Sequence, residues 1–397
     1  MKHAKLMPAS GAPRWVPCAG SVPLSAGQPA RRSMPAARGT VAHAISESIL
    51  IDGHDPQMFL GQKWPVNDDG VCDEREADFM VTVDEELLDA IVTYVGFARE
   101  YIALVGPDDW IVEDRVPISH ITGEDNAYGT ADLVTLNFEQ REVTVIDAKF
   151  GHHPVDPQTE QLLIYAGGTL HKYGALAHWK TVRCVIIQPS DGGPKEHVYT
   201  VAEVNAKCHD IAYAAGRVRE AIEYRGHPEW ETLYLNPTTN GCRFCPARAT
   251  CPALRRVVDE VTAQEFDDLT PDALGEAMSK VELVEAWCKE VRAETERRLL
   301  AGTPVAGFKL VQGRRGARKW SNPDVVETLM VPYLGERAYD KKLITPATAE
   351  KALKATSAWA LVAEHITQEE GKPSVAPESD KRDAWTPVSA DEFETLS

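Results

Sequence analysis

Four cysteines constrain this chain more than any other feature. Cys18 stands alone near the start, while Cys242, Cys245 and Cys251 crowd together in NGCRFCPARATCP. A CxxC followed by x5-C, rimmed by Gly and Pro, is a tight thiolate cage with three corners filled. A metal centre wants a fourth ligand, and Cys18 can supply it. A fold obeying this must bring its N-terminal arm back to a loop beyond residue 240, closing a very long chain loop. Spacing alone leaves a zinc ion held by four thiolates and an iron–sulfur cluster both open. Of the other cysteines, Cys184 lies in an apolar run and is read as core packing; Cys72, Cys208 and Cys288 have no assigned role.

The chain has 397 residues, 43% of them hydrophobic and 26% charged, enough for a large core and for two domains. Clustered cysteines in so long a chain favour metal in a reducing compartment over a disulfide scaffold. No apolar run approaches the roughly 18 residues of a membrane span, and MKHAKLMPASGAPRW lacks the apolar core of a secretory signal. The expected location is therefore cytoplasmic (the host cytoplasm for a phage product), with no membrane partner. A net charge of −18 argues against a general phosphate-binding surface but leaves room for a local basic track. Candidates are Arg31, Arg32 and Arg38; Arg243, Arg248, Arg255 and Arg256; and Arg314, Arg315, Arg318 and Lys319 in GRRGARKW. Each is equally readable as solvated surface.

Along the chain, Pro-, Ala- and Gly-rich residues 1–38 read as an irregular arm. Helices are expected at 39–51, 84–105, 158–173 and 202–224, and strands at 110–118, 128–137, 141–150 and 181–189. Residues 39–261 thus form one mixed α/β body ending in the cysteine loop. Residues 262–367 read as mainly helical, with one or two helices over 271–300 behind Thr270-Pro271. Short helices are expected behind Ser321 or Asn322 and behind Thr345, and a strand pair over 307–320. The tail 368–397 has the composition of a disordered segment.

The 128–137 and 141–150 strands carry the chemistry. Residues two apart share a strand face, so Asp147 and Lys149 in IDAKF point the same way. A turn centred between Glu139 and Gln140 places Asp132 opposite Asp147, and opposed side chains lie on one face. Two carboxylates that close are costly unless a cation sits between them, and hard oxygen ligands select Mg2+ or Mn2+. Val134, Leu136, Val143 and Val145 would give the charges an apolar floor. A surface Asp–Lys salt bridge accounts for the same three residues. His43, in GTVAH, sits where an imidazole could reach the ion. Gln161 and Tyr165, four apart, share the face of the next helix.

GTVAH, GTADLV, VIDAKFG and QLLIY, in that order, resemble the PD-(D/E)XK nuclease superfamily in its RecB-like branch. One cysteine before these motifs and three after resemble its iron–sulfur members, such as AddB and the CRISPR adaptation nucleases. The resemblance covers roughly residues 10–256. PASGAPRWVPCAGSVPLS and GFKLVQGRRGARKW further resemble a phage and prophage family of that superfamily. The resemblance implies an α/β fold, a mixed central sheet flanked by helices (a restriction-endonuclease-like core), followed here by a mainly helical C-terminal region. It implies metal-assisted hydrolysis of DNA phosphodiesters, with exonuclease action in phage recombination or replication. By position, His43, Asp132, Asp147 and the Ala148 carbonyl would bind the metal. Lys149 would activate water, Gln161 and Tyr165 would support the site or touch DNA, and the four cysteines would hold a [4Fe–4S] cluster. The first acidic motif reads Ala-Asp here, not Pro-Asp. DNA is the expected partner, with a phage single-strand-binding or annealing protein and self-oligomerisation as further possibilities. A catalytically silent DNA-binding or assembly subunit of nuclease fold, and a structural zinc protein, are the competing functions.

Overall fold

The computed structural model describes residues 2–28, 33–67, 70–263, 270–311, 323–340, 343–354, 356–367 and 383. The chain divides into two compact units, Met1–Val311 and Gln312–Ser397.

The first unit is built on nine strands: β1 (Lys2–His3), β2 (Lys63–Asn67), β3 (Gly70–Val71), β4 (Phe79–Thr82), β5 (Trp110–Pro117), β6 (Ala127–Asn137), β7 (Glu142–Ala148), β8 (Thr181–Gln188) and β9 (Gly193–Thr200). Its helices are α1 (Ala12–Trp15), α2 (Ser21–Ser25), α3 (Met34–Asp52), α4 (Glu85–Ile102), α5 (Ser119–Thr122), α6 (Glu160–Tyr173), α7 (Val201–Glu223), α8 (Trp230–Tyr234), α9 (Thr239–Arg243), α10 (Pro252–Thr262) and α11 (Pro271–Leu300). Six strands form a mixed sheet. β6 pairs antiparallel with β5 and β7, β7 parallel with β8, β8 antiparallel with β9, and β1 adds parallel to the start of β6. β2, β3 and β4 make a separate antiparallel sheet.

Alternation distributes the core to both faces of the large sheet. Leu133, Ile146, Ala148, Val185 and Ile187 pack toward α3 and α4. Val134, Leu136, Val143, Val145, Val182 and Ile186 pack with residues of α6 and α7. The result is a mixed α/β body with helices on both faces. Each fully buried Leu or Ile here contributes about 1.5–3 kcal/mol relative to exposure. The β6–β7 register is Leu133↔Ile146 and Val134↔Val145, the register that a turn centred between Glu139 and Gln140 requires. The turn is made by Asn137, whose Oδ1 accepts from the Gln140 N–H at 2.9 Å, and by Arg141 in the left-handed region at φ 57°.

Capping accounts for most helix starts. Asp84, Thr159 and Thr270 accept from Leu87, Leu162 and Ala273, and Thr200 forms a capping box with Glu203. The 271–300 segment is a single helix.

Several expectations are corrected. The 1–38 arm is not simply irregular: it contributes β1, α1 and α2, and Met7 and Trp15 are fully buried. The helix carrying His43 begins at Met34, not Gly39, because Ser33 caps it and Pro35 fits its first turn. β9 and the small sheet lay outside the expected strands. β9 has a mixed polar sequence, and the small sheet is assembled from segments of two to five residues, too short for periodicity to register. The 271–300 helix, expected in a separate C-terminal region, belongs to the first unit, where Arg248 and Glu290 pair across a buried contact at 2.6 Å. Over 307–311 only a bridge between Val305 and Phe308 is formed, and the rest of the expected strand pair lies outside the described residues.

The second unit contributes α12 (Pro323–Leu334), α13 (Pro346–Leu353), capped by Thr345, and α14 (Ala358–Ala363). The expected caps Ser321 and Asn322, and all of the 368–397 tail but Asp383, lie outside the described residues. Among the described residues no helix is long and apolar enough to cross a membrane.

Candidate active site and cysteine pocket

β6 and β7 stop pairing beyond Leu133 and Ile146, and the acidic residues stand at this fork. Simple alternation would put Asp132 on the face of Val134, beside α6. It does not lie there. Glu113 on β5, between the pairs Val112↔Leu133 and Asp114↔Ala131, has φ 51°. A glutamate in the left-handed region is strained by roughly 1–2 kcal/mol. At this kink both strands change the face they present. Val112 and Leu133 pack on the α3 and α4 side. Val116 and Ala131 pack on the α6 and α7 side. Asp132 therefore turns toward α3: its Oδ1 lies 3.3 Å from His43 Nδ1, and its Oδ2 accepts the Ala148 N–H at 2.6 Å. The expectation that Asp132 and Asp147 share one sheet face is corrected accordingly.

One ligand atom each from His43, Glu113 and Asp132 lie within 4.8 Å of one another. Their ionisation reflects this crowding. Burial pulls His43 down, but the Asp132 carboxylate, its hydrogen bond, and the charges of Glu113 and Asp147 outweigh it and raise the imidazole to about 9. Burial, with the Asp132 charge, pushes Glu113 up to about 7. Burial opposes the ionisation of Asp132, but His43 and the Ala148 N–H hold its carboxyl below the ordinary range.

Asp147 keeps its alternation and faces α6. It is 3% exposed. Its Oδ1 accepts from Gln161 Nε2 at 2.9 Å, while Oδ2 stands 2.7 Å from Lys149 Nζ. That Oδ2 is buried, and the Lys149 ammonium is its charge partner. Gln161 clamps both charges: its Oε1 accepts from Lys149 Nζ at 3.0 Å, and its Nε2 also reaches Tyr165 Oη at 3.3 Å. Burial raises the Asp147 carboxyl, and the charge on Asp132 adds to the effect against Lys149. The Ala148 N–H donates to Asp132, which leaves its carbonyl outside that hydrogen bond. All the residues singled out by the strand motifs therefore gather at the fork, but in two groups. His43 and Asp132 stand with Glu113, and Asp147 and Lys149 stand with Gln161 and Tyr165. The two carboxylates and the imidazole of the first group, within 4.8 Å of one another, are a donor set suited to Mg2+ or Mn2+.

Sequence reasoning missed Glu113, because nothing local marks a glutamate that will turn left-handed. The only signal was an acidic pair, Glu113-Asp114, inside an otherwise apolar strand. It also missed an aromatic wall. Phe150 makes edge contacts with His43 and Tyr94 at centroid distances of 5.3 and 5.8 Å. Tyr94 is buried, and burial with the charges of Asp132, Glu113 and Asp147 keeps its phenol neutral.

The motif glycine has a steric cause. A Cβ on Gly129 would lie 2.7 Å from Tyr165 Cε1. Gly129→Ala should push Tyr165 off Gln161 and cost about 1–3 kcal/mol, read as a lower thermal midpoint. Gly129→Ala combined with Tyr165→Leu should recover much of that loss.

The second constellation is the cysteine pocket. Cys18, Cys242, Cys245 and Cys251 line one pocket with Ser21, Leu24, Leu235 and Arg248. Backbone N–H groups of Asn236 and Leu254 point at Cys18 Sγ (3.3 Å) and Cys251 Sγ (3.5 Å). Cys251 caps α10; burial raises its thiol, opposed by the N–H groups of Leu254 and Ala253. Burial, with the other thiols of the group, pushes Cys242 up to about 12 and raises Cys18. No three of these sulfurs fall within 4.8 Å of one another. The arm is also held by backbone: the Gly20 N–H donates to Tyr234 O at 2.8 Å, and a Cβ there would lie 2.8 Å from Leu235 Cδ2.

Residues 3–383 match a family described as a protein of unknown function, DUF2800. The chain belongs to the DUF2800 family. The match takes in both the carboxylate fork and the cysteine pocket of this DUF2800 protein, and continues into its second unit. Of the basic tracks, Arg38 is paired with Asp84 at 2.7 Å and Arg248 with Glu290 at 2.6 Å. Arg256 pairs with Glu231 at 2.8 Å, and Arg255 lies 3.9 Å from Asp259. Arg31, Arg32 and the GRRGARKW run lie outside the described residues.

Proposed function

We propose that this DUF2800 protein is a Mg2+- or Mn2+-dependent deoxyribonuclease of the PD-(D/E)XK type, an exonuclease of phage recombination or replication, with a [4Fe–4S] cluster in its cysteine pocket. The reading is carried by one observation: His43, Glu113 and Asp132 converge within 4.8 Å at the strand fork, with the buried Asp147–Lys149 pair, 2.7 Å apart, standing at the same fork. A structural sheet seldom buries so many charges in one place without a cation to hold them.

A divalent ion at the fork would supply a water of lowered pKa and offset the charge that builds on the phosphate. The chain's own groups do the rest. Glu113 and Asp132 would provide hard oxygen donors and His43 a nitrogen, while Asp147 holds Lys149 at 2.7 Å. Lys149 sets a positive charge next to Asp147, where it can orient a water and stabilise negative charge on the phosphate. Gln161 keeps the carboxylate and ammonium in fixed relation through 2.9 and 3.0 Å hydrogen bonds. Phe150 packs edge-on against the His43 ring and is backed in turn by Tyr94.

For the cysteine pocket, sulfurs around one zinc ion at about 2.3 Å would stand about 3.8 Å apart. No three of these sulfurs fall within 4.8 Å of one another, which leaves room for a polynuclear iron–sulfur cluster, with backbone N–H groups aimed at two of them.

Incubation with end-labelled linear DNA and with covalently closed circular DNA tests the activity. Linear DNA should be degraded with Mg2+ or Mn2+, the closed circle should survive, and EDTA should stop the reaction. Intact linear DNA under every metal would end the reading, and tight binding without cleavage would point to an assembly subunit instead.

A further inference from the structure

The CxxC turn carries a side chain that the metal pocket does not use. Phe244 lies between Cys242 and Cys245, which are 8% and 7% exposed, yet is itself 76% exposed. Its backbone is not free to fold the ring away. It terminates α9, whose Thr238 cap accepts the Gly241 N–H at 3.0 Å, and the Cys245 N–H donates to Cys242 O at 3.2 Å. The preceding residue, Arg243, contacts the His153 ring through its guanidinium.

His153 belongs to the loop that leaves the active site, four residues after Lys149, so its Cα lies within about 14 Å of the Lys149 Cα. That loop is tied down. Gln188, at the end of β8, donates to Gly151 O at 2.6 Å and His153 O at 2.9 Å and accepts from the Val155 N–H at 3.2 Å. Ser190 Oγ donates to Gly151 O at 2.8 Å. A rigid path therefore runs from Lys149 through His153 and Arg243 to an exposed aromatic ring. A cation and an exposed ring on consecutive residues, Arg243 and Phe244, offer what single-stranded nucleic acid binds: phosphate on the cation, base on the ring.

We infer that Phe244, together with Arg243, forms a stacking platform for a base of single-stranded DNA on the strand that leads to the carboxylate fork. This rests on the nuclease reading above and names the substrate form that the site receives. Stacking, unlike edge recognition, tolerates every base, so the platform serves digestion without sequence preference.

The test uses the full chain in an Asp147→Asn background, with fluorescein-labelled thymidine oligomers of about 12 nucleotides, within the span one such groove covers, and the same oligomer as a duplex. Phe244→Ala and Phe244→Leu should each weaken single-strand binding about ten-fold or more, as loss of one stacked base does. Phe244→Trp should match the parent, and duplex affinity should change less than two-fold. Unchanged melting temperatures verify that the variants fold; Leu, which keeps the bulk, guards against collapse of the Ala variant. Full affinity in Phe244→Ala or Phe244→Leu overturns the inference. Digestion by the parent chain separates the two failures. If it degrades linear DNA while Phe244 variants bind normally, only the platform falls; if it neither degrades nor binds DNA, the nuclease reading falls first and the platform with it.

Discussion

Lys149→Ala should lower the rate of linear DNA digestion at least about a hundred-fold, the loss that follows removal of one preorganised charge from a reacting phosphate or carbonyl. The substitution has a second consequence. Lys149 is the charge partner of a carboxylate that is 3% exposed. Removing one partner of a buried pair costs about 3–5 kcal/mol, because the other is left uncompensated. A slow and unstable variant would not by itself distinguish catalysis from folding. Asp147→Asn supplies the distinction. It keeps the shape of the side chain and an oxygen for the Gln161 amide, which donates to Oδ1 at 2.9 Å. Its NH2 then faces the Lys149 ammonium, which is partly exposed and can turn to solvent, so the variant should melt below the parent by less than Lys149→Ala does and still lose digestion to a comparable extent. Lys149→Arg restores charge but not the compact point charge of an ammonium and should recover stability more than rate. A Lys149→Ala or Asp147→Asn protein that digests DNA at the parental rate with Mg2+ would remove the fork from the chemistry altogether.

Cys245→Ser should bleach the protein and loosen its fold. Iron–sulfur occupancy gives a brown preparation with broad visible absorbance, and loss of one of four thiolates should remove it. The same change should unpin the N-terminal arm from the loop after α8, since Cys18 and the 242–251 cysteines share one pocket. A loss of about 5 kcal/mol, modest against the binding energies of structural metals, lowers the melting temperature by roughly 10 °C or more in a unit of this size. Cys288→Ser, at a half-buried cysteine outside the pocket, should change neither colour nor melting. A colourless anaerobic preparation with one zinc per chain would turn the pocket into a mononuclear site whose sulfurs draw together on loading.

Much of this molecule was legible in residues alone, and the reason is locality. Asp84, Thr159, Thr200 and Thr270 announce their helices because a cap bonds an N–H within three residues. The β6–β7 register follows from a short turn and from period-two alternation, both settled within a few positions. The clustering of Cys18 with Cys242, Cys245 and Cys251 was legible for a different reason: three ligands close in sequence demand a fourth, and Cys18 lay in an arm free to supply it.

What locality could not reveal is the kink at Glu113 and Asp132. No composition rule marks a glutamate that adopts φ 51°; its strain is tolerated because β6 and the surrounding cores hold it. That one conformation reverses which face of two strands is presented. It sends Asp132 to His43 rather than to Gln161 and brings Glu113 into the site. The residue types needed for the chemistry were written in the chain. Their division between two sides of a sheet, and their meeting at its fork, were decided by tertiary packing, because only neighbours distant in sequence can stabilise a backbone angle that the residue itself disfavours.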